Sequence, residues 1–146
     1  MAARFKIDPS RRIADAITKM FLSLHLAPKG YYLLTTIGRR SGMPRSNPVT
    51  LIEEGEHRWL VAPYGNVSWV HNAKASGRVT LTRNGKSEFV AVRECSAEEA
   101  VPVLRKYLIK VAITRPYFDV GVDSSEEAYI AEAPQHPVFE IISIDS

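Results

Sequence analysis

Arg78-Val79-Thr80-Leu81-Thr82-Arg83-Asn84-Gly85-Lys86-Ser87-Glu88-Phe89-Val90-Ala91-Val92 is the stretch on which the fold turns. Alternating runs, Arg78 to Thr82 and Glu88 to Val92, flank Asn84-Gly85. A two-residue hairpin loop needs positive φ at both central positions, and Asn-Gly adopts it at small steric cost. The stretch predicts two antiparallel strands joined by a tight turn.

Strand signals continue toward the N-terminus. Arg58 to Ala62, Val49 to Ile52 and Tyr31 to Thr36 are β-prone and apolar. Glu53-Glu54-Gly55-Glu56 reads as a charged turn between two of them, and Pro63-Tyr64-Gly65-Asn66 ends another. Ser68 reads as the cap of a short helix carrying Trp69, Val70, Asn72 and Ala73. Upstream, Asp8-Pro9-Ser10 opens a helix on which Ile13, Ile17, Met20, Phe21 and Leu24 share one face, ending near Ala27-Pro28-Lys29-Gly30. That apolar face caps the barrel in the simplest reading; a membrane-surface or substrate-covering helix is the sharper one. Toward the C-terminus, Ser96 with Glu98 and Glu99 opens a helix to about Lys110, and Arg115-Pro116-Tyr117-Phe118-Asp119 reads as an ordered aromatic loop. A short helix follows over Ser125 to Ala131, and Pro137 to Ile144 is a closing strand. About six short strands with helices around them predict a mainly β fold with α, a barrel or sandwich rather than a βαβ sheet.

The 146 residues fit one domain, and 45% hydrophobic with 24% charged residues is the balance of a globular protein. A single cysteine, Cys95, excludes an internal disulfide and points to a reducing, cytoplasmic setting. No apolar run approaches the ~18 residues that cross a bilayer, and the N-terminal residues lack the apolar core of a signal peptide. A net charge of +3 suits an anionic ligand, nucleic acid or an anionic membrane surface, and is also small enough to need no partner. Asn84-Gly85-Lys86-Ser87 ends like a phosphate loop, but Thr80 stands where its first glycine would be. His25, His57, His71 and His136 show no metal spacing, so no metal site is expected, and Cys95 has no activating neighbours in sequence.

The chemistry concentrates between Arg39 and Asn72. Arg39, Arg40 and Arg45 fall within seven positions among two glycines and a proline. A glycine turn lets backbone N–H groups approach an anion, arginine adds a planar fork suited to phosphate, and Ser41 adds a hydroxyl. Exposed basic hairpin loops also occur without ligands, so the loop alone leaves both readings open. Asn47-Pro48 follows; proline removes a strand donor and belongs at edges or bulges, where a strand can present backbone to a flat ring. Trp69 and Asn72, three apart, share a helix face.

Leu33-Leu34-Thr35-Thr36-Ile37-Gly38-Arg39-Arg40-Ser41-Gly42-Met43-Pro44-Arg45-Ser46-Asn47-Pro48-Val49 closely resembles the signature of the F420-dependent (deazaflavin-dependent) nitroreductase and quinone reductase family. Val61-Ala62-Pro63-Tyr64-Gly65 and Ser68-Trp69-Val70-His71-Asn72-Ala73-Lys74-Ala75 resemble its second block. The likeness covers about Leu33 to Val79 and continues loosely through the Glu98 to Lys110 helix. It implies a split β-barrel of the FMN-binding-like superfamily, related to pyridoxamine phosphate oxidases: one cofactor-binding domain over 1–146, with the N-terminal helix in 1–30 and the barrel in 31–146. The cofactor implied is coenzyme F420, with FMN as the alternative on the same barrel. Arg39, Arg40, Ser41 and Arg45 would hold its phosphate. Ser46, Asn47, Pro48, Val49 and Thr50, with Ala62, Pro63, Tyr64 and Gly65, would line the deazaflavin and ribityl chain, and Ser68, Trp69, Val70, His71 and Asn72 would complete the site. The best-known nitroreductase subgroup has a lysine and a second glycine after the second strand and a longer loop before the tryptophan; this chain lacks them and is more similar to the subgroup reducing quinones and unsaturated lactones or enones.

The resemblance implies an F420H2-dependent reductase passing hydride to a quinone, an enone or unsaturated lactone, or a nitroaromatic. The hydride comes from the cofactor, so no catalytic nucleophile is needed. Tyr64, Tyr117 and Tyr129 are candidates for the acceptor site and for the proton, each equally readable as packing. A non-enzymatic F420 or lipid carrier is the second alternative. Nucleic acid ranks last, because no recognition module and no interleaved exposed aromatics accompany the basic loop. The expected partner is a small-molecule acceptor, with oligomeric state open and the N-terminal helix as a peripheral contact at the inner membrane face.

Overall fold

The computed structural model describes residues 29–144. The N-terminal helix expected between Ser10 and Ala27 lies outside the described residues. Six strands, β1 (Tyr31–Ile37), β2 (Pro44–Glu54), β3 (His57–Val61), β4 (Arg78–Arg83), β5 (Lys86–Glu94) and β6 (Val138–Ser143), close into a barrel in the order β1-β2-β3-β6-β5-β4. Every neighbouring pair is antiparallel. Helix α1 (Ser68–Ser76) joins β3 to β4. Helix α2 (Ala97–Lys110), a 3-10 segment over Ala112–Tyr117, helix α3 (Glu126–Glu132) and a 3-10 turn at Ala133–Gln135 lie between β5 and β6.

Strand alternation produces two cores from one sheet. Leu51, Leu60 and Phe139 point into the barrel, where Leu34, Val79, Leu81 and Val90 meet Trp69, Val70 and Ala73 of α1. Their neighbours Ile52, Val61 and Val138 point outward and are covered by Val101, Leu104, Tyr107 and Leu108 of α2, with Phe118 and Tyr129. One wall thus carries an apolar layer on both faces, and α1 plugs an end of the barrel.

The hairpin at Asn84-Gly85 forms as its dipeptide demands, with φ of 52° and 74°. Helix α2 starts with a capping box: the Glu99 N–H donates to Ser96 Oγ at 3.2 Å, and the Ser96 N–H donates to the Glu99 carboxylate at 2.8 Å. Two expectations need correction. Ser68 is the first helical residue of α1 rather than its cap; Val67, extended, holds that position with no side-chain bond. The Arg115–Asp119 segment is largely a 3-10 turn, begun at Ala112.

Strand β2 is longer than the Val49–Ile52 run and passes through Pro44 and Pro48. Backbone direction explains why both are tolerated. The Leu51 N–H donates to the Gly30 carbonyl and the Gly38 N–H to the Met43 carbonyl, each at 2.8 Å, so the odd-numbered residues of β2 turn their backbone groups toward β1. Pro44, Ser46 and Pro48 therefore turn theirs to the other edge, and β3 pairs with β2 only from Leu51 onward. The missing donors fall where no described strand needs them. The barrel is consequently split beside residues 44–50.

Ser96→Ala is expected to lower folding stability by about 1 kcal/mol through loss of the α2 cap, read by urea unfolding, without altering the far side of the barrel.

Candidate functional site

The bend between β1 and β2 is built from short bonds. The Gly42 N–H returns to the Gly38 carbonyl at 2.9 Å, with Gly42 at φ +70°. The Met43 N–H donates to Ser41 Oγ at 3.2 Å, leaving the hydroxyl proton of Ser41 available. A Cβ on Gly38 would lie 2.5 Å from Ser41 Oγ and 3.3 Å from the Met43 carbonyl, so a side chain there would push the Ser41 hydroxyl out of its place and crowd the turn.

Helix α1 locks the bend from inside. Asn72 is 3% exposed. Its Oδ1 accepts from the Arg39 backbone N–H at 3.1 Å and from Arg39 Nη1 at 3.0 Å. Its Nδ2 donates to Thr36 Oγ1, itself buried, at 3.2 Å. A buried amide gripping both main chain and guanidinium orients Arg39 before any ligand arrives. Arg40 and Arg45 are exposed and have no ion-pair partner among the described residues. Across the β1–β2 pairing, Thr35 Oγ1 and Ser46 Oγ share a hydrogen bond of 2.9 Å.

These residues line a cleft of about 640 Å³. Gly38, Arg39, Arg40, Ser41, Pro44, Arg45, Ser46 and Asn47 form one side; Ser68, Trp69 and Asn72 form the other. None of these lining residues is acidic. Trp69, the aromatic residue of this lining, is 7% exposed and rests against Phe139, with ring centroids 6.1 Å apart. Three guanidinium groups, a hydroxyl and a strand edge without a partner among the described residues make a cleft chemically suited to an anion, with one aromatic wall.

The other predicted residues occupy three further settings. Pro48 and Val49 are half-buried along β2, with Thr50 buried beyond them. Ala62 belongs to the barrel core, while Pro63, Tyr64 and Gly65 form the half-buried turn into α1. Val70 is fully buried in the core, and His71 is exposed off the cleft lining. Tyr64 and Tyr117 meet edge-to-face at 4.9 Å. Tyr129 is corrected to a packing role: it is 0% exposed, its hydroxyl donates to the Gly121 carbonyl at 2.7 Å, and the Arg105 guanidinium lies over its ring at 4.4 Å. Burial holds its phenol above the usual range, and with the proton already committed the group is a poor donor to a ligand.

His136 is the residue that sequence reasoning passed over. It is 3% exposed and uses both ring nitrogens: Nδ1 lies 2.9 Å from the Pro63 carbonyl, and Nε2 lies 2.7 Å from Glu132 Oε2. The only local signal was the four-residue spacing of Glu132 and His136, which brings such side chains together at a helix end.

The chain matches the family model of the F420H(2)-dependent quinone reductase over residues 12–123. Among solved structures it is similar to an F420-H2 dependent reductase (FDR-A), at 24% identity and a TM-score of 0.55, covering 77% of this chain and 94% of that one. It is also similar to a protein solved as a domain-swapped dimer, at 22% identity and a TM-score of 0.58, covering 92% and 99%. A putative pyridoxamine 5'-phosphate oxidase from Listeria innocua shares the architecture at 12% identity and a TM-score of 0.53, covering 94% and 95%. At these identities the structures establish the split-barrel fold. Among curated proteins none matches the chain.

Asn72→Ala is expected to cost about 1–3 kcal/mol, because the buried Thr36 hydroxyl loses its amide partner and the Arg39 main chain loses its acceptor. Urea unfolding measures the loss, and hydrogen exchange at the Arg39 amide is expected to rise with it.

Proposed function

As a member of the F420H(2)-dependent quinone reductase family, to which the chain belongs over residues 12–123, this protein is an F420-dependent oxidoreductase, and we propose that it passes hydride from reduced F420 to a quinone. The observation that carries the reading is the cleft under the bend: three arginines, no acidic residue in the lining, and two guanidinium groups without ion-pair partners among the described residues. That donor set fits a phosphate group. Arg39, oriented by Asn72, with Arg40, Arg45 and the Ser41 hydroxyl, would hold it. The deazaflavin ring, when bound, supplies the hydride.

The chain's own tasks are binding, orientation and exclusion of water. Trp69 and Pro44 supply apolar surface beside the arginines. The edge of β2, without a partner strand among the described residues, would offer the Ser46 N–H and the carbonyls of Pro44, Ser46 and Pro48 to a flat ring lying along it. Val49 and Thr50 continue that strand inward, and the Pro63–Gly65 turn leads into the start of the helix that carries Ser68 and Trp69. Quinone reduction takes up a proton as well as a hydride. We assign that proton to Tyr64 or Tyr117, directly or through water; both are half-buried, and they meet each other edge-to-face.

The reading is tested by following F420H2 oxidation by absorbance with three acceptor classes: quinones, enones or unsaturated lactones, and nitroaromatics. Turnover with quinones above the other two is expected; F420 binding without oxidation in all three classes would sink it. The double substitution Arg40→Ala with Arg45→Ala is expected to raise the F420 dissociation constant at least tenfold, since each charge-assisted bond contributes about 1.5–3 kcal/mol and 1.4 kcal/mol is a factor of ten. Both side chains are exposed and have no ion-pair partner among the described residues, so folding stability is expected to move by about 0.5 kcal/mol or less. Fluorescence titration and urea unfolding read the two quantities separately.

A further inference from the structure

Glu132 and His136 form a buried acid–imidazole pair, 5% and 3% exposed, to which the binding reading gives no role. Such a pair is an expensive way to fill space, since well-packed apolar side chains serve stability as well or better. What an apolar residue cannot do is fix the direction of a carbonyl. The Pro63 carbonyl only accepts, so His136 Nδ1 carries the proton of that 2.9 Å bond. Nε2 lies 2.7 Å from Glu132 Oε2, so both ring nitrogens are engaged.

Three further contacts set the ring in place. Phe118 stacks on the imidazole, with centroids 3.7 Å apart and planes 16° from parallel. Glu132 Oε2 also accepts the Asp119 N–H at 3.0 Å, tying the end of α3 to the segment that follows Tyr117. The Ala62 N–H donates to the Pro137 carbonyl at 2.9 Å, and a Cβ on Gly65 would come within 3.3 Å of the Gln135 carbonyl. Two walls therefore meet at one imidazole: the turn that carries Tyr64, and the turn that carries Tyr117. The rings of Tyr64 and Tyr117 meet edge-to-face, joining the two turns.

We infer that His136 is a positioning residue for hydride transfer: by holding the Pro63 carbonyl it sets the Tyr64 wall against the Tyr117 wall, and with it the geometry in which the acceptor is received. The inference rests on the F420 reading of the cleft, but the bond itself is testable without cofactor.

An asparagine amide nitrogen reaches the place of Nδ1, whereas a glutamine amide nitrogen reaches the place of Nε2. His136→Asn keeps the Pro63 bond and gives up Glu132; His136→Gln does the reverse. In the free protein, the backbone amide NMR signals of Tyr64 and Gly65 are expected to stay near their native positions in His136→Asn and to shift or broaden in His136→Gln. With cofactor, His136→Gln is expected to lose at least tenfold in kcat/KM for a quinone while the F420 dissociation constant changes less than threefold. His136→Asn is expected to recover most of that loss. Glu132→Gln, which leaves the Pro63 bond in place, is the third arm: it is expected to follow His136→Asn, and it carries the test should His136→Gln fail to fold. Equal losses in His136→Asn and His136→Gln, or a tenfold loss in Glu132→Gln at native Tyr64 and Gly65 signals, would overturn the proposal. A native protein that binds no F420 would instead refute the cleft assignment and leave the NMR comparison to decide the role of the bond.

Discussion

The side chain of Asn72 is the constraint on which the rest of the cleft depends. One buried amide satisfies a main-chain N–H, a guanidinium and a buried hydroxyl, which come from the bend and from the strand before it. Remove it and the arginine bend is tied down only by its own turn bonds. Buried polar groups are costly unless every bond is made. Here they are made between elements distant in sequence, so helix α1, strand β1 and the bend adopt one mutual arrangement. The charge of the cleft is carried by the bend, but its shape is set from beneath by the helix.

The two-sided core explains how so small a chain supports an open groove. A barrel wall covered only on its inner face would have little to resist deformation where β2 parts from β3. The outward layer of Ile52, Val61 and Val138 under α2 braces that same wall just past the split. Interior packing at crystal-like density is nearly incompressible, so a wall backed on both faces yields little where the groove opens. The open edge is held apart by what lies behind it, and no side chain needs to prop it from within.

Much of this was legible in the chain. Asn84-Gly85 announced its hairpin because the dipeptide satisfies a local torsional demand, and Ser96 with Glu99 announced the start of α2 because both halves of the capping box lie within one turn. The basic bend was legible for the same reason: its glycines and arginines act within a few positions. What escaped were features set by distant contacts. The length of β2 escaped: Pro48 read as an edge or bulge residue, but nothing local tells that the strand starts back at Pro44 or which way the missing donors point; the β1 register decides that. Tyr129 read as a candidate for the acceptor site because burial beneath Arg105 is a tertiary fact. His136 was invisible because its partner carbonyl lies 73 residues away. Ser68 was read as a cap on residue type alone, whereas the turn ahead of it lets an extended valine take that place.

Pro44 and Pro48 also bear on how the protein behaves in company. An unpaired strand edge is a template on which another chain can lay a strand of its own, and continued addition leads to insoluble sheets. A visiting strand needs donors at regular intervals, and along this edge two of the three outward positions from 44 to 48 have none. A planar small molecule, which asks for a surface and a few acceptors, loses little by their absence. The same two prolines therefore leave the groove open to a flat ligand yet inhospitable to a polypeptide, so that access and resistance to strand addition come from one choice of residue.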